Sequence, residues 1–312
     1  MEVSPLCVGT YATGYGMNMI WLVGCDGMLG RQMGMCLKKA GMPFYGTDRE
    51  LDITNPAVLS AFAGDKDLRW IINCAAYTAV DRAESEPETV RRINTLGVGN
   101  LALVAAKNRA CLVHFSTDYV FDGTSEAPYR EHDRPNPKSV YGATKLAGEE
   151  LLQRNTSRFF IFRLSWLYGV YGDNFVKTVV RLLREKRELP VVNDQVGSPT
   201  YAGVLAENLV SLVRGDSERY GLYHYSDRGA ISWFDFACRI QECALQYGFT
   251  RERKKIVPVP TSRFPVVARR PGFSVLDKQK VTADLAFIVG DWAENLDCFF
   301  RAWKESEHHE NH

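Results

Sequence analysis

No apolar run in this sequence approaches the roughly 20 residues that a bilayer-spanning helix needs, so no helical membrane span is expected. The first 18 residues carry no Lys or Arg, so the charged opening of a secretory leader is missing. They read as a loose extension, with Met17 or Met19 as candidate true starts. Charge of one sign is also missing: 38 basic side chains face 37 acidic ones, which excludes the broad basic footprint of a nucleic-acid binder. Eight cysteines are scattered at 7, 25, 36, 74, 111, 238, 243 and 298 without a C-x-x-C pair. That usage suits buried thiols in a reducing compartment, hence a cytoplasmic protein without a disulfide framework. Cys238 and Cys243 have no neighbouring histidine to complete a zinc site, and His308, His309 and His312 read as a solvated tail, so no resident metal is expected.

What is present is an alternation of short apolar runs with helical spacing. Residues 19–23, 43–47, 70–74, 111–115 and 159–162 read as strands buried on both faces, and stretches such as 28–39 and 84–106 as the helices between them. The order predicts an α/β fold, a Rossmann-type doubly wound parallel sheet. After about residue 168 the rhythm changes: helices near 174–185, 204–213 and 233–247, strands at 189–192 and 222–225, and a Pro- and Arg-rich stretch, 257–274, expected as irregular loops. The expected domains are an extension over 1–18 and a dinucleotide-binding domain over 19–168, to which segments near 200–225 return. A smaller substrate lobe over 169–303 and a tail over 304–312 complete the chain.

Between the first strand and its helix lies Gly24-Cys25-Asp26-Gly27-Met28-Leu29-Gly30. Glycines there allow a tight turn and let phosphates approach backbone N–H groups at the positive end of a helix. The spacing is G-x-x-G-x-x-G, not the usual G-x-G-x-x-G, and is weak alone. Asp48 closes the second strand, where a carboxylate can bind adenosine ribose hydroxyls and favour NADH. Arg49 follows and could grip a 2′-phosphate, favouring NADPH, so the two cues conflict. Asp52 and Ile53 could flank the adenine or simply precede a helix. The small residues after the third strand, Asn73-Cys74-Ala75-Ala76, leave room for a flat cofactor.

Tyr141-Gly142-Ala143-Thr144-Lys145 places a phenol and an ammonium on one helical face, about 25 residues after the fourth strand. The ammonium is expected to lower the phenol's pKa from ~10, so that Tyr141 can protonate a carbonyl oxygen as hydride arrives at carbon. Ser116 and Thr117 end the fourth strand; alternation points them opposite ways, and only one should face the site. His114 is expected as a core residue.

These segments, with Asn73–Asp81, Ala83–Pro87, Ser116–Phe121, Val140–Glu149, Arg163–Tyr168, Asn174-Phe175, Asn193–Gln195 and Ala268–Pro271, resemble the extended short-chain dehydrogenase/reductase family, in its sugar-nucleotide branch, over residues 19–303. The resemblance implies reduction of the C4 ketone of dTDP-4-dehydro-L-rhamnose to dTDP-L-rhamnose by NADPH or NADH. It makes Tyr141 the acid, Lys145 its partner and Thr117 the hydroxyl that adjusts it. Gly27, Met28 and Leu29 would meet the pyrophosphate, Asp48, Asp52 and Ile53 the adenosine, and Ala76, Tyr77 and Thr78 the cofactor further along. Thr117, Asp118 and Trp166 would touch the sugar, with Trp166 as a flat wall, and Tyr119, Asn174 and Arg270 are further candidates, Arg270 for the diphosphate. Some relatives carry a magnesium-linked glutamate at a dimer contact where this chain has Gln32, so neither metal dependence nor the homodimer transfers directly. Two alternatives stay open. A dehydratase or epimerase shares the pair, but dehydratases typically follow the threonine with Asp-Glu, and here Tyr119 replaces the glutamate. A regulatory subunit of methionine adenosyltransferase type would bind a dinucleotide without turnover.

Overall fold

The computed structural model describes residues 19–264 and 267–309, the side chains of 308 and 309 excepted; the expected extension and the alternative starts lie outside this range. The chain opens with β1 (Met19–Val23), α1 (Met28–Lys39), β2 (Phe44–Thr47), α2 (Pro56–Ala63) and β3 (Leu68–Asn73). The single helix expected over 84–106 is instead broken into α3 (Val80–Ala83), α4 (Pro87–Arg91), a π-helical turn (Arg92–Gly97) and α5 (Val98–Asn108). Pro87 explains one break, because it begins a new helix at its first position. Next come β4 (Cys111–Thr117), a 3₁₀ turn (Asp118–Val120), α6 (Val140–Asn155) and β5 (Phe159–Leu164).

Beyond β5 lie β6 (Leu167–Tyr168), α7 (Phe175–Glu185), β7 (Glu188–Val192), β8 (Val196–Gly197), β9 (Thr200–Tyr201), α8 (Ala202–Arg214) and β10 (Gly221–Tyr225). The rest is β11 (Ile231–Ser232), α9 (Trp233–Gln246), β12 (Lys255–Val259), α10 (Gln279–Leu285) and α11 (Trp292–His309). Two expectations are corrected here. The stretch 257–274 begins inside a strand, since β12 pairs in parallel with β7, and residues 304–309 continue the final helix instead of starting a tail.

The main sheet has six parallel strands in the order β10-β5-β4-β3-β1-β2. Alternation along each strand feeds two cores. Ile20, Leu22, Ile72, Val113 and Phe162 face α1 and α8, whereas Trp21, Ile71, Leu112 and Ile161 face α2, α5 and α6. A third core joins α7, α9 and α11 through Val176, Phe236, Ile240, Phe299 and Phe300, and forms the lobe beyond the sheet. Chain order reverses between the neighbouring strands β1 and β3, which opens a crevice at the carboxyl ends of the strands.

Candidate active site

The turn from β1 into α1 is shaped by its glycines. Gly24 has φ +76°, and a Cβ there would sit 2.6 Å from the Ala75 nitrogen. A Cβ on Gly30 would run into the Gly24 carbonyl. Both positions let backbone segments touch. Gly27 differs: a Cβ there would meet only the Gly24 oxygen, at 3.4 Å, so its bareness leaves the cleft open. As the N-cap of α1 it offers no side chain, and the first turn carries no acid, so the helix N–H groups remain available to an anion.

Two adjoining clefts of about 690 and 610 Å³ share Asp26, Gly27, Cys74, Ala75 and Ala76 in their walls. The first holds Gly24, Asp48, Arg49, Asp52, Ile53 and Tyr77. The second holds Met28, Leu29, Thr78, Thr117, Asp118, Tyr119, Tyr141, Lys145, Trp166 and Asn174. Together the two clefts are large enough to take a dinucleotide. Asp48 accepts from the Asp26 and Arg49 backbone N–H groups at 3.1 and 2.9 Å, which fixes its carboxylate at the cleft edge. Asp52 accepts from Thr54, and Asn55 is the true cap of α2.

Two expected residues lie outside both clefts. Gly30 belongs to the packing of the turn, for the reason just given. Arg270 is committed to Asp81, with contacts of 2.6 and 3.1 Å, and so braces the loop at 268–271 against the start of α3. Conversely, Asp26, Asp173 and Trp233 line the clefts without having been expected there. Asp26 was signalled by its place inside the glycine turn; Trp233 had no local signal, arriving from the start of α9.

At the chemical end, β4 divides its last two side chains as alternation requires. Ser116 turns to Glu149 of α6, and Thr117 turns to the cleft, where its hydroxyl bonds Asp118 at 3.0 Å. Burial pushes the Tyr141 phenol up to about 12; the Thr117 hydroxyl opposes this and the Asp118 charge adds to it. The expected depression by Lys145 is therefore not the governing effect. The Lys145 ammonium is turned toward the Phe115 carbonyl, 2.5 Å away, and burial brings it down to about 8, with Glu149 opposing. Burial lifts the Asp118 carboxyl to about 6, while the Ser274 and Thr117 hydroxyls hold it back. Tyr119, also raised by burial, packs edge-on against Tyr141.

Trp166 sits at φ +48° and stacks on Trp233 with ring centroids 3.5 Å apart, so the expected flat wall is a pair of indoles. Asn174 caps α7 and also donates to the Gly169 carbonyl at 2.7 Å. Gln32 is buried in α1, where its amide donates to Cys36. Among the described residues one group could hold a cation, Cys25, Asp26 and Asp48, and Asp26 and Asp48 both line the first cleft. No helix of the described residues is long and apolar enough to cross a membrane.

Residues 17–304 match the family model described as RmlD substrate binding domain. The dTDP-4-dehydrorhamnose reductase of Escherichia coli K12 is 38% identical over 283 residues, covering 88% of this chain and 94% of that protein. The enzyme of the same name from Aggregatibacter actinomycetemcomitans is 36% identical, covering 90% and 97%. Among solved structures, a dTDP-4-dehydrorhamnose reductase from Clostridium acetobutylicum superposes with a TM-score of 0.86 at 38% identity, covering 91% of this chain and 99% of that one. One from Bacillus anthracis, in complex with NADP, gives 0.86 at 37%, covering 92% and 100%. A glycine turn, a phenol beside a strand-end threonine and a two-part cleft thus coincide with full-length similarity, and the chain belongs to the dTDP-4-dehydrorhamnose reductase family.

Proposed function

We infer that this protein reduces the C4 ketone of dTDP-4-dehydro-L-rhamnose to dTDP-L-rhamnose, using NADPH or NADH. The observation that carries the residue assignment is the convergence of Tyr141, Thr117 and Asp118 at the nicotinamide end of the cleft. The reduced nicotinamide, when bound, supplies hydride to the sugar's C4. Tyr141 keeps its proton on Oη across the neutral range, because burial disfavours phenolate, and so meets the sugar oxygen as an acid. Thr117 holds the same oxygen and limits the cost of the phenolate that forms. Asp118 and the Trp166–Trp233 pair face the sugar, the first through hydrogen bonds, the second by flat apolar contact. Gly27, Met28 and Leu29 hold the pyrophosphate, with Asp48, Arg49, Asp52 and Ile53 at the adenosine and Ala75, Ala76, Tyr77 and Thr78 between them.

Elimination chemistry is disfavoured because the position after Asp118 carries a buried neutral phenol where a second carboxylate would be needed. A purely regulatory dinucleotide-binding role makes the opposite prediction about turnover. The test is a coupled assay: NADPH should be oxidised only when dTDP-4-dehydro-L-rhamnose is supplied, with dTDP-L-rhamnose identified by mass and NMR. Tyr141→Phe should lower kcat by about 10²–10⁴-fold while a fluorescence titration still shows cofactor binding. Full turnover by that variant would remove Tyr141 from the mechanism.

Two finer readings accompany this one. Cys36, Cys111 and Cys243 are buried thiols packed in the cores, which supports a reducing, cytoplasmic setting. Leu96 of the π-helical turn and Leu103 of α5 are both exposed and support self-association as a homodimer, which sedimentation would decide.

A further inference from the structure

Lys145, the expected partner of Tyr141, has two buried groups behind it that nothing above explains. Lys145 Nζ lies 3.4 Å from His114 Nε2, and His114 Nδ1 lies 3.1 Å from Asn73 Nδ2 at the end of β3. The Asn73 amide cannot turn over, because its Oδ1 accepts the Ala75 backbone N–H at 3.0 Å and reversal would oppose two N–H groups. Its Nδ2 therefore donates to His114 Nδ1, which must be the bare ring nitrogen. Burial, reinforced by the Lys145 charge, holds the imidazole well below its usual pKa, so the ring is neutral. A neutral ring with a bare Nδ1 carries its hydrogen on Nε2, facing Lys145. An ammonium has three donors and no acceptor, whereas a neutral amine has a lone pair. The His114 N–H can thus bond only the neutral form of Lys145.

Burial already favours the neutral amine, and the His114 N–H adds a directional contact to it. The titratable groups around Lys145 are His114 on β4 and Tyr141 and Glu149 on its own helix, with Asp118 of the 3₁₀ turn beyond Tyr141. Glu149 favours the ammonium, but its oxygens are engaged by Arg163 of β5, 2.7 Å away, and by Ser116. The π-helical turn packed on α6 adds a neutral contact, Thr95 to the Thr144 carbonyl.

We propose that His114 is a positioning residue whose locked Nε2–H favours the neutral amine of Lys145, so that β4 helps set the pH at which the lysine one turn along from Tyr141 loses its charge. This rests on the assignment of Tyr141 as the acid. In the neutral form the amine donates to the Phe115 carbonyl and accepts from His114 Nε2–H.

Histidine ring-nitrogen NMR on the intact protein, with His114 assigned by its loss in His114→Phe, tests the tautomer. The expected spectrum has a bare Nδ1 and a protonated Nε2; a hydrogen on Nδ1, or an imidazolium at neutral pH, overturns the proposal. In Asn73→Asp the carboxylate can accept from both Ala75 N–H and Nδ1–H, which reverses the tautomer and offers the Nε2 lone pair to the ammonium. The alkaline limb of kcat should then move upward by about one pH unit or more, with KM within about twofold of the parent. A shifted limb without tautomer reversal, or reversal without a shift, also overturns it. The parent spectrum decides the tautomer even where Asn73→Asp folds poorly. A wrong tautomer beside an inactive Tyr141→Phe defeats this inference alone, whereas an active Tyr141→Phe defeats the assignment it rests on.

Discussion

Asp48 and Arg49 pull the cofactor choice in opposite directions from adjacent positions at one cleft edge. Asp48 offers acceptors to ribose hydroxyls and repels a phosphate; Arg49 attracts the phosphate. Asp48→Ala should therefore raise the ratio of kcat/KM for NADPH over NADH, and Arg49→Ala should lower it, each by about tenfold, the scale of one charge contact worth about 1.4 kcal/mol. Parallel assays with the two cofactors check both. Ion pairing has a different meaning at Arg270, where the sequence suggested a diphosphate ligand. Nothing in a linear string distinguishes a guanidinium aimed at substrate from one neutralised by Asp81, 189 positions away. That Tyr141 and Thr117 meet in one cleft was legible because their placement follows from local spacing, one along a helix and the other at a strand end. The protonation balance among them was not, since burial depends on the whole fold.

The turn joining β1 to α1 separates two uses of glycine that look identical in sequence. Gly24→Ala forces a side chain into left-handed backbone and against Ala75, and should cost several degrees of Tm in a thermal melt. Gly27→Ala has room in the fold and should leave Tm nearly unchanged while weakening cofactor binding, as an equilibrium titration would show. Loss of binding and stability in equal measure for both would contradict this division. The central strands were legible as unbroken apolar runs because parallel strands are covered on both faces. β12 was not, because Pro258 falls inside a five-residue strand that, among the described residues, pairs with β7 alone. The segment 84–106 was misread as one helix because periodicity carries across the π-helical turn. On α6, Glu149 anchors the buried row formed with Ser116 and Arg163. Glu149→Leu strands the guanidinium and should lower unfolding stability by about 3–5 kcal/mol, measurable by urea titration.

At the scale of the whole molecule, the lobe is not an appendage that could be removed. After building α7 and β7 the chain returns to add α8 and β10 to the sheet, then leaves again for α9 and α11. Sheet and lobe should unfold together, with far-ultraviolet circular dichroism and tryptophan fluorescence giving coincident transitions in urea. Two resolved transitions would mean that the interleaving does not couple them. Trp166 stands just past the end of β5 and Trp233 at the start of α9, so the stacked indoles straddle this seam. Two chromophores held 3.5 Å apart and nearly parallel also share their electronic transitions. A sugar sliding against them would alter that shared excitation, so the chain carries its own optical gauge of occupancy, readable without any attached dye.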